Sequence, residues 1–398
     1  MGPLLSRYIK TGNPVTCDPL LTPRFMHPLS LDSKGPMSLL LRRAMPGLVL
    51  GVIGAIGSAS AQTTAPKIET TVLVYAQYGY QFNSDSVTGR NLNAFDLTRA
   101  YINVTGKFVE GVSVRVTPDI YRVADGSLAF RLKYAYAAYT PENSPLTAKF
   151  GVMHTPWLDW EEALWDYRMQ GQMAMERFRS PAAAGYLASS DFGAGVDGKF
   201  GYDNVNFQVG VYNGEFYSKP ESDSYKDFEA RVSVRVLKTD DFSRVGGLRL
   251  TGYAGVGQPT GGGTRDRYIG MVSYRSKMLT LAGEYGRGRD RLDNLAPVTG
   301  TPPPAAVPQT DSDVWSFFGV FNVPNTRAGI LARYDRQTPS TGVTGNDQER
   351  AIGGVSYQLT PQVRLLGDID TFWNEPGIYT NAVNSTRTTG FIHMQFNF

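Results

Sequence analysis

The side chains best suited to chemistry in this sequence are cations placed in step with a two-residue period. Arg99, Lys107, Arg115, Arg131, Lys133 and Lys149 each fall on the polar side of a short alternating segment. Only Asp119 answers them there. Arg231, Arg235 and Arg333 add basic groups further along. Cations concentrated on one polar surface attract and steer anions. A second charged group lies between residues 155 and 187, where Asp159, Glu161, Glu162, Asp166 and Glu176 alternate with Arg168, Arg177 and Arg179. In the same stretch Trp157, Trp160, Leu164 and Tyr167 follow helical spacing, which predicts a short amphipathic helix.

Catalytic arrangements are not legible. After residue 61 the chain has two histidines, His154 and His393, and no cysteine, since Cys17 is the only one. Thiolate metal sites, disulfides and cysteine nucleophiles are therefore not expected beyond residue 61, and no cofactor is implied. No nucleophile-elbow motif appears. Gly261-Gly262-Gly263 lacks the lysine of a phosphate loop and reads as an outer loop. Arg287, Arg289 and Arg291 could meet an anionic sugar-lipid, but a solvated loop is the simpler reading.

Sixteen segments with period-two alternation must position these groups. In 68–82, Ile68, Val72, Val74, Ala76, Tyr78, Tyr80 and Phe82 share one face, against Glu69, Thr71, Gln77 and Gln81. In 112–121, Val112, Val114, Val116 and Ile120 oppose Ser113, Arg115, Thr117 and Asp119. In 130–139, Phe130, Leu132, Tyr134 and Tyr136 oppose Arg131 and Lys133. Later segments start near 190, 204, 226, 247, 266, 278, 313, 326, 349, 362 and 386; 266–276 and 313–323 carry apolar residues on both faces. A soluble β-sandwich also alternates, but sixteen such segments are too many for one sandwich. Connections fall into two length classes, with the short loop 122–128 and the long turns 140–145 and 238–246 as exceptions. Short ones lie at 109–111, 201–204, 276–278, 324–325 and 360–361. Long ones lie at 83–93, 155–188, 215–226, 288–312, 336–348 and 374–385. Short turns on one side and long loops on the other is the outer-membrane arrangement. The fold class expected is all-β, a transmembrane antiparallel barrel of about 16 strands whose lumen holds water. The long loop after strand 5 is expected to fold inward, because its Trp-rich face needs burial.

Arg or Lys facing lipid at the bilayer midplane costs about 2–4 kcal/mol, so the cations are expected to line the lumen. The 155–187 loop and the basic wall are then expected to form a constriction, with Asp159, Glu161, Glu162 and Asp166 facing Arg115, Arg131 and Lys133.

The first 61 residues read as separate from this barrel. Met37–Ala61 has the layout of a signal peptide: Arg42-Arg43, an apolar run over 44–56, and Ala59-Ser60-Ala61 before Gln62. Residues 1–36 show no hydrophobic period and read as an over-long gene start. Removing residues 1–61 takes away six basic and two acidic side chains, leaving 33 Lys and Arg against 34 Asp and Glu. The basic balance of the full chain thus belongs to its leader and does not point to nucleic acid.

Several short stretches resemble the phosphate-selective porin O and P family. They are Leu97-Thr98-Arg99-Ala100-Tyr101, Lys149-Phe150-Gly151 before the Trp-rich loop, Asp191-Phe192-Gly193 after it, Val211-Tyr212-Asn213-Gly214, and the terminal Phe398. The resemblance covers most of 68–398 in layout. It implies a sixteen-stranded homotrimer in the outer membrane, with a C-terminal aromatic residue read by assembly machinery. Phosphate specificity is not carried over residue by residue. The function expected is passive diffusion of small hydrophilic solutes, with a preference for anions and outer-membrane lipid around the barrel. A structural or adhesive barrel with a plugged lumen is the alternative, and a lipid-acting barrel enzyme a more distant one.

Overall fold

The structure, a computed structural model, describes residues 65–83, 92–123, 125–177, 186–259, 262–293, 307–376 and 386–398. The leader, the signal segment, Cys17 and Arg179 lie outside these residues. Sixteen strands follow one another along the chain. The first six are β1 (Lys67–Gln81), β2 (Asn93–Lys107), β3 (Val112–Arg122), β4 (Leu128–Tyr139), β5 (Leu146–His154) and β6 (Ser190–Phe200). Then come β7 (Val205–Tyr212), β8 (Asp227–Leu237), β9 (Gly247–Gly257), β10 (Gly263–Arg275) and β11 (Leu279–Leu292). The last five are β12 (Val307–Asn322), β13 (Ala328–Thr338), β14 (Gln348–Thr360), β15 (Val363–Asn374) and β16 (Thr386–Asn397).

Each strand pairs with its chain neighbours, and β1 pairs with β16, so the sheet closes into a barrel. Closure leaves no strand edge inside lipid, where an unpaired backbone N–H or C=O would cost several kcal/mol. The seam ends on Phe398, whose backbone exchanges two hydrogen bonds with Val72, at 2.7 and 3.1 Å.

The two-residue period sets the faces. Phe95, Phe130, Phe150, Leu281, Ile330 and Ile392 are exposed outward, as lipid contact requires. Asp119, Arg249, Glu284, Asp335 and Ser316 are buried on the inner side. Tight turns join the strands at one end, and several of them use left-handed residues. In the Val109–Gly111 turn Glu110 has φ 61° and Gly111 has φ 78°; a Cβ on Gly111 would lie 1.9 Å from the Thr140 carbonyl.

Two sequence expectations are corrected. The first concerns β4. Thr117 pairs with Tyr134 and Pro118 with Leu132, so Lys133 is the extra residue of a β-bulge. A bulge shifts the alternation by one position. Tyr134 and Tyr136 therefore turn inward with Lys133, not outward with Phe130 and Leu132, and Ala137 and Tyr139 take the outer face. The second concerns 288–312. β11 continues to Leu292 and β12 begins at Val307, so Arg287, Arg289 and Arg291 stand on a strand. They pair with Asp311 and Asp293.

The double-sided apolar character of β10 and β12 has a physical cause. Their inward residues Ile269, Met271, Val314, Phe318 and Val320 belong to one buried cluster with the Trp-rich connection. A lumen wall normally wets these positions; here protein covers them.

Candidate functional site

The connection after β5 contains the helix Leu158–Trp165, a 3-10 turn at Arg168–Gln170 and the short helix Ala174–Arg177. Its apolar residues fix where it lies. Trp157, Leu158, Trp160, Leu164, Trp165 and Met173 are all essentially unexposed. Trp165 meets Phe318 of β12 edge-on, ring centroids 5.3 Å apart, and Trp157 tilts against Tyr253 of β9 at 5.9 Å. Each Leu or Met buried this way contributes about 1.5–3 kcal/mol.

Polar ties hold the same segment to the inner wall. Tyr167 and Ser356 of β14 are hydrogen-bonded through their hydroxyls at 2.7 Å. Arg275 of β10 donates to the carbonyls of Ala163 and Leu164, at 2.6 and 3.2 Å, satisfying the open end of the helix. Arg364 of β15 donates to Asp166. On the turn between β8 and β9, Arg244 pairs with Asp159 at 2.6 Å. Burial alone would raise the Asp159 carboxyl, but His154 and Arg244 hold it well below the ordinary carboxylate range.

With the segment packed on β8–β15, the opposite wall from β1 to β5 faces it across a cavity of about 320 Å³. Arg115, Lys133, Asp159, Glu162, Asp166 and Arg168 line this cavity. Six of the anticipated wall cations thus have distinct surroundings. Arg99 and Arg131 share the buried carboxylate of Asp119, at 2.6 and 2.9 Å. Arg131 also lies over the rings of Tyr121 and Tyr217, 4.0 and 4.8 Å from their centroids. Arg115 donates to Asn103 at 2.8 Å and Thr117 at 3.0 Å. Lys133 donates to the Tyr101 hydroxyl at 3.3 Å. Lys149 pairs with Asp197. Lys107 is exposed at the turn-side end of β2.

The far-wall cations differ from expectation. Arg231 and Arg333 are 3% and 2% exposed and lie beneath the connection, not against open lumen. Arg231 donates to the Pro156 carbonyl at 2.9 Å, while Arg333 pairs with Asp335 and reaches the Gln172 carbonyl. Arg235 lies at the turn end of β8 beside Asp203. Within the connection, Glu162 and Glu176 both pair with Arg168 at 2.8 Å. Arg177 sits over the Phe372 ring, 4.1 Å from its centroid. Glu161 is a further correction: it is wholly buried on the side of β11 and lies against Glu284, so it does not face Arg115 or Lys133. Its place in the helix explains this, since Glu161 shares the apolar side with Leu158, Leu164 and Trp165.

Sequence reasoning missed Arg244, Arg275 and Arg364, which tether the connection, and the tyrosines that flank the cations. The unusual length of the 238–246 turn was the available signal for Arg244. Among the tyrosines, Tyr134 and Tyr136 are hidden by the bulge at Lys133.

Comparison with known proteins agrees with this architecture. Residues 72–239 match the profile of phosphate-selective porin O and P. No curated protein matches the sequence. Among solved structures, the anion-selective porin from Comamonas acidovorans superposes with a TM-score of 0.58 at 10% identity, over 84% of this chain and 100% of that one. Salmonella typhi OmpF in complex with daunomycin gives 0.57 at 10% identity, over 83% of this chain and 98% of that one. The trimer form of OmpT, an outer membrane protein of Vibrio cholerae, gives 0.55 at 11% identity, over 84% and 100%. At such identities the superpositions speak for the fold, and the profile match for the kind of barrel. The chain is an outer-membrane porin, similar to the phosphate-selective porin O and P family over residues 72–239.

Proposed function

We propose that the barrel passes small hydrophilic solutes by diffusion through the gap between the Trp-rich connection and the β1–β5 wall, with a preference for anions. One observation carries this reading: the charges along the gap do not balance. Asp119 serves two arginines, and neither Arg115 nor Lys133 has a carboxylate within 4.0 Å among the described residues. Opposite them, Asp159 and Asp166 each pair with an arginine, while Glu162 shares Arg168 with Glu176, which reduces the positive excess without removing it. Uncompensated positive charge in a narrow aqueous path raises the local concentration of anions.

Enzymatic work is not part of this reading. His154 stacks on Tyr134 and lies near Asp159, and His393 faces Asp368 at 2.8 Å, arrangements that serve wall structure. A homotrimer surrounded by outer-membrane lipid, and a mature chain starting at Gln62, complete the proposal. N-terminal sequencing of the exported protein tests the latter.

The decisive test is current through planar bilayers with a salt gradient. Open-channel current with a reversal potential on the anion side is the expected result. Correctly folded protein that passes no current would favour a plugged, structural barrel instead.

A further inference from the structure

Resting on the porin reading, we propose that the gap contains a binding site for small organic monocarboxylates with an apolar or aromatic body, centred on Lys133.

The charge pairing leaves Lys133 as the free group. Four cations line the cavity: Arg115, Lys133, Arg168 and Arg244. Arg168 is taken by Glu162 and Glu176, and Arg244 by Asp159. Arg115 has no acid, but its guanidinium is engaged on three sides: Nε with Thr117, one terminal nitrogen with Asn103, the other 3.5 Å from His154. Three of its five N–H groups are thus used and the guanidinium is fixed to the wall, which leaves it less able to adapt to a ligand than an ammonium. Lys133 differs. It is 3% exposed and makes one hydrogen bond, to Tyr101. An ammonium carries three protons, so two remain for a ligand. A buried charge is costly unless paired; Glu162, which lines the same cavity, and Glu176 attract Lys133 without forming a direct ion pair, so a carboxylate in the cavity would supply the missing contact.

The surroundings define the ligand body. The Lys133 nitrogen lies 4.9 Å from the Tyr101 ring centroid and 5.6 Å from that of Tyr134. Tyr75 meets Tyr101 edge-on at 6.2 Å, and Leu73 and Ala163 also line the cavity. A carboxylate on Lys133 would thus place its organic portion against tyrosine rings. The volume, about 320 Å³, lies at the lower end of the roughly 300–1,000 Å³ typical of small-molecule sites.

Charge number decides against a phosphate dianion. Asp159, Glu162 and Asp166 line the same cavity. Their repulsion and the ammonium's attraction both grow in proportion to ligand charge, but the cost of stripping water from the ligand grows with its square, which disfavours a dianion in so small a cavity.

Block of chloride current by added benzoate, acetate or hydrogen phosphate, in planar bilayers with the purified barrel, tests the site. Benzoate should block at a concentration about tenfold below that of acetate or phosphate, the difference one good contact makes. The benzoate-to-acetate ratio should collapse in Lys133→Met and persist in Lys133→Arg. Should Lys133→Met fail to fold, Tyr101→Leu serves, and should lower the same ratio. Equal block by benzoate and acetate, phosphate blocking at the lowest concentration, or a ratio unchanged in these neutral variants overturns the site but leaves the porin reading standing. Absence of chloride current from folded wild-type barrel overturns the porin reading, and the site with it.

Discussion

Arg244 donates to Oδ2 of Asp159 at 2.6 Å and, through its second terminal nitrogen, to the Asp159 main-chain carbonyl at 2.7 Å. A turn on the short-connection side of the barrel thereby holds the start of a helix that comes from the long-connection side. The contact does two things: it anchors the first helical turn and neutralises a carboxylate that lines the gap. Arg244→Ala should therefore free one negative charge at the gap. We expect reversal potentials to move toward cations and single-channel current to become noisier, because both side chains are partly exposed and the tie is modest in energy. Recordings indistinguishable from wild type would show that Asp159 does not face the permeation path.

Neutralising the wall tests the charge imbalance directly. In Arg115→Gln, Arg131→Gln, Lys133→Gln, Asp119 keeps only Arg99, and the gap loses both cations that lack an acid. Reversal potentials in a salt gradient should shift toward cations. The shift should shrink as ionic strength rises, since the Debye length falls from about 10 Å at 0.1 M to about 3 Å at 1 M. Selectivity that ignores the triple substitution would place the constriction elsewhere.

Much of this molecule could be read from its period-two pattern, and the failures have identifiable causes. All sixteen strands were legible because lipid enforces alternation on the outer face, as Phe130 and Ile392 illustrate. The inner face is less constrained. Tyr134 reads as outward in the sequence because a one-residue bulge leaves no mark in composition, yet the bulge reverses every following side chain. The apolar inner face of β12 weakens the alternation in the sequence because Trp165 packs against Phe318 there. In sequence Glu161 is indistinguishable from the other acids of its helix; only the direction of the helix, set by the buried tryptophans, separates it from Glu162.

Trp165 allows that packing to be measured. Its ring is unexposed, contacts Phe318 and Tyr167, and its Nε1 donates to the Tyr167 carbonyl at 3.1 Å. Trp165→Ala should cost the docked segment about 3–5 kcal/mol, the usual range for a buried Trp. None of these contacts closes the barrel, so the heat-modified mobility of the folded protein should persist. Limited proteolysis should cut within 155–177 at a higher rate, and mean conductance should rise. Unchanged protection would mean that the polar ties through Arg275 and Tyr167 suffice to dock the segment.

The last prediction concerns pH. Glu161 and Glu284 are both buried, and none of their four carboxylate oxygens has a hydrogen-bond partner among the described residues, so two negative charges there would be costly and the protonated form is favoured. Burial first, and the neighbouring Glu284 second, push the Glu161 carboxyl well above the ordinary range; Arg333 opposes this and Asp335 adds to it. In a released segment the same carboxyl would titrate near its ordinary value of about 4.3. Between those two values the docked form binds more protons than the released form. Docking is therefore firmest below the ordinary value and weakens as pH rises toward the docked value, by about 1.4 kcal/mol for each unit of separation. Conductance noise and proteolytic access to 155–177 should both increase from mildly acid to mildly alkaline buffer. Glu161→Gln keeps the shape, supplies a permanent amide donor and removes the second charge, so its profile should be flat and resemble wild type at acid pH. A wild-type profile that runs the opposite way, or a Glu161→Gln profile as steep as wild type, would show that this carboxyl pair does not control how the segment is held.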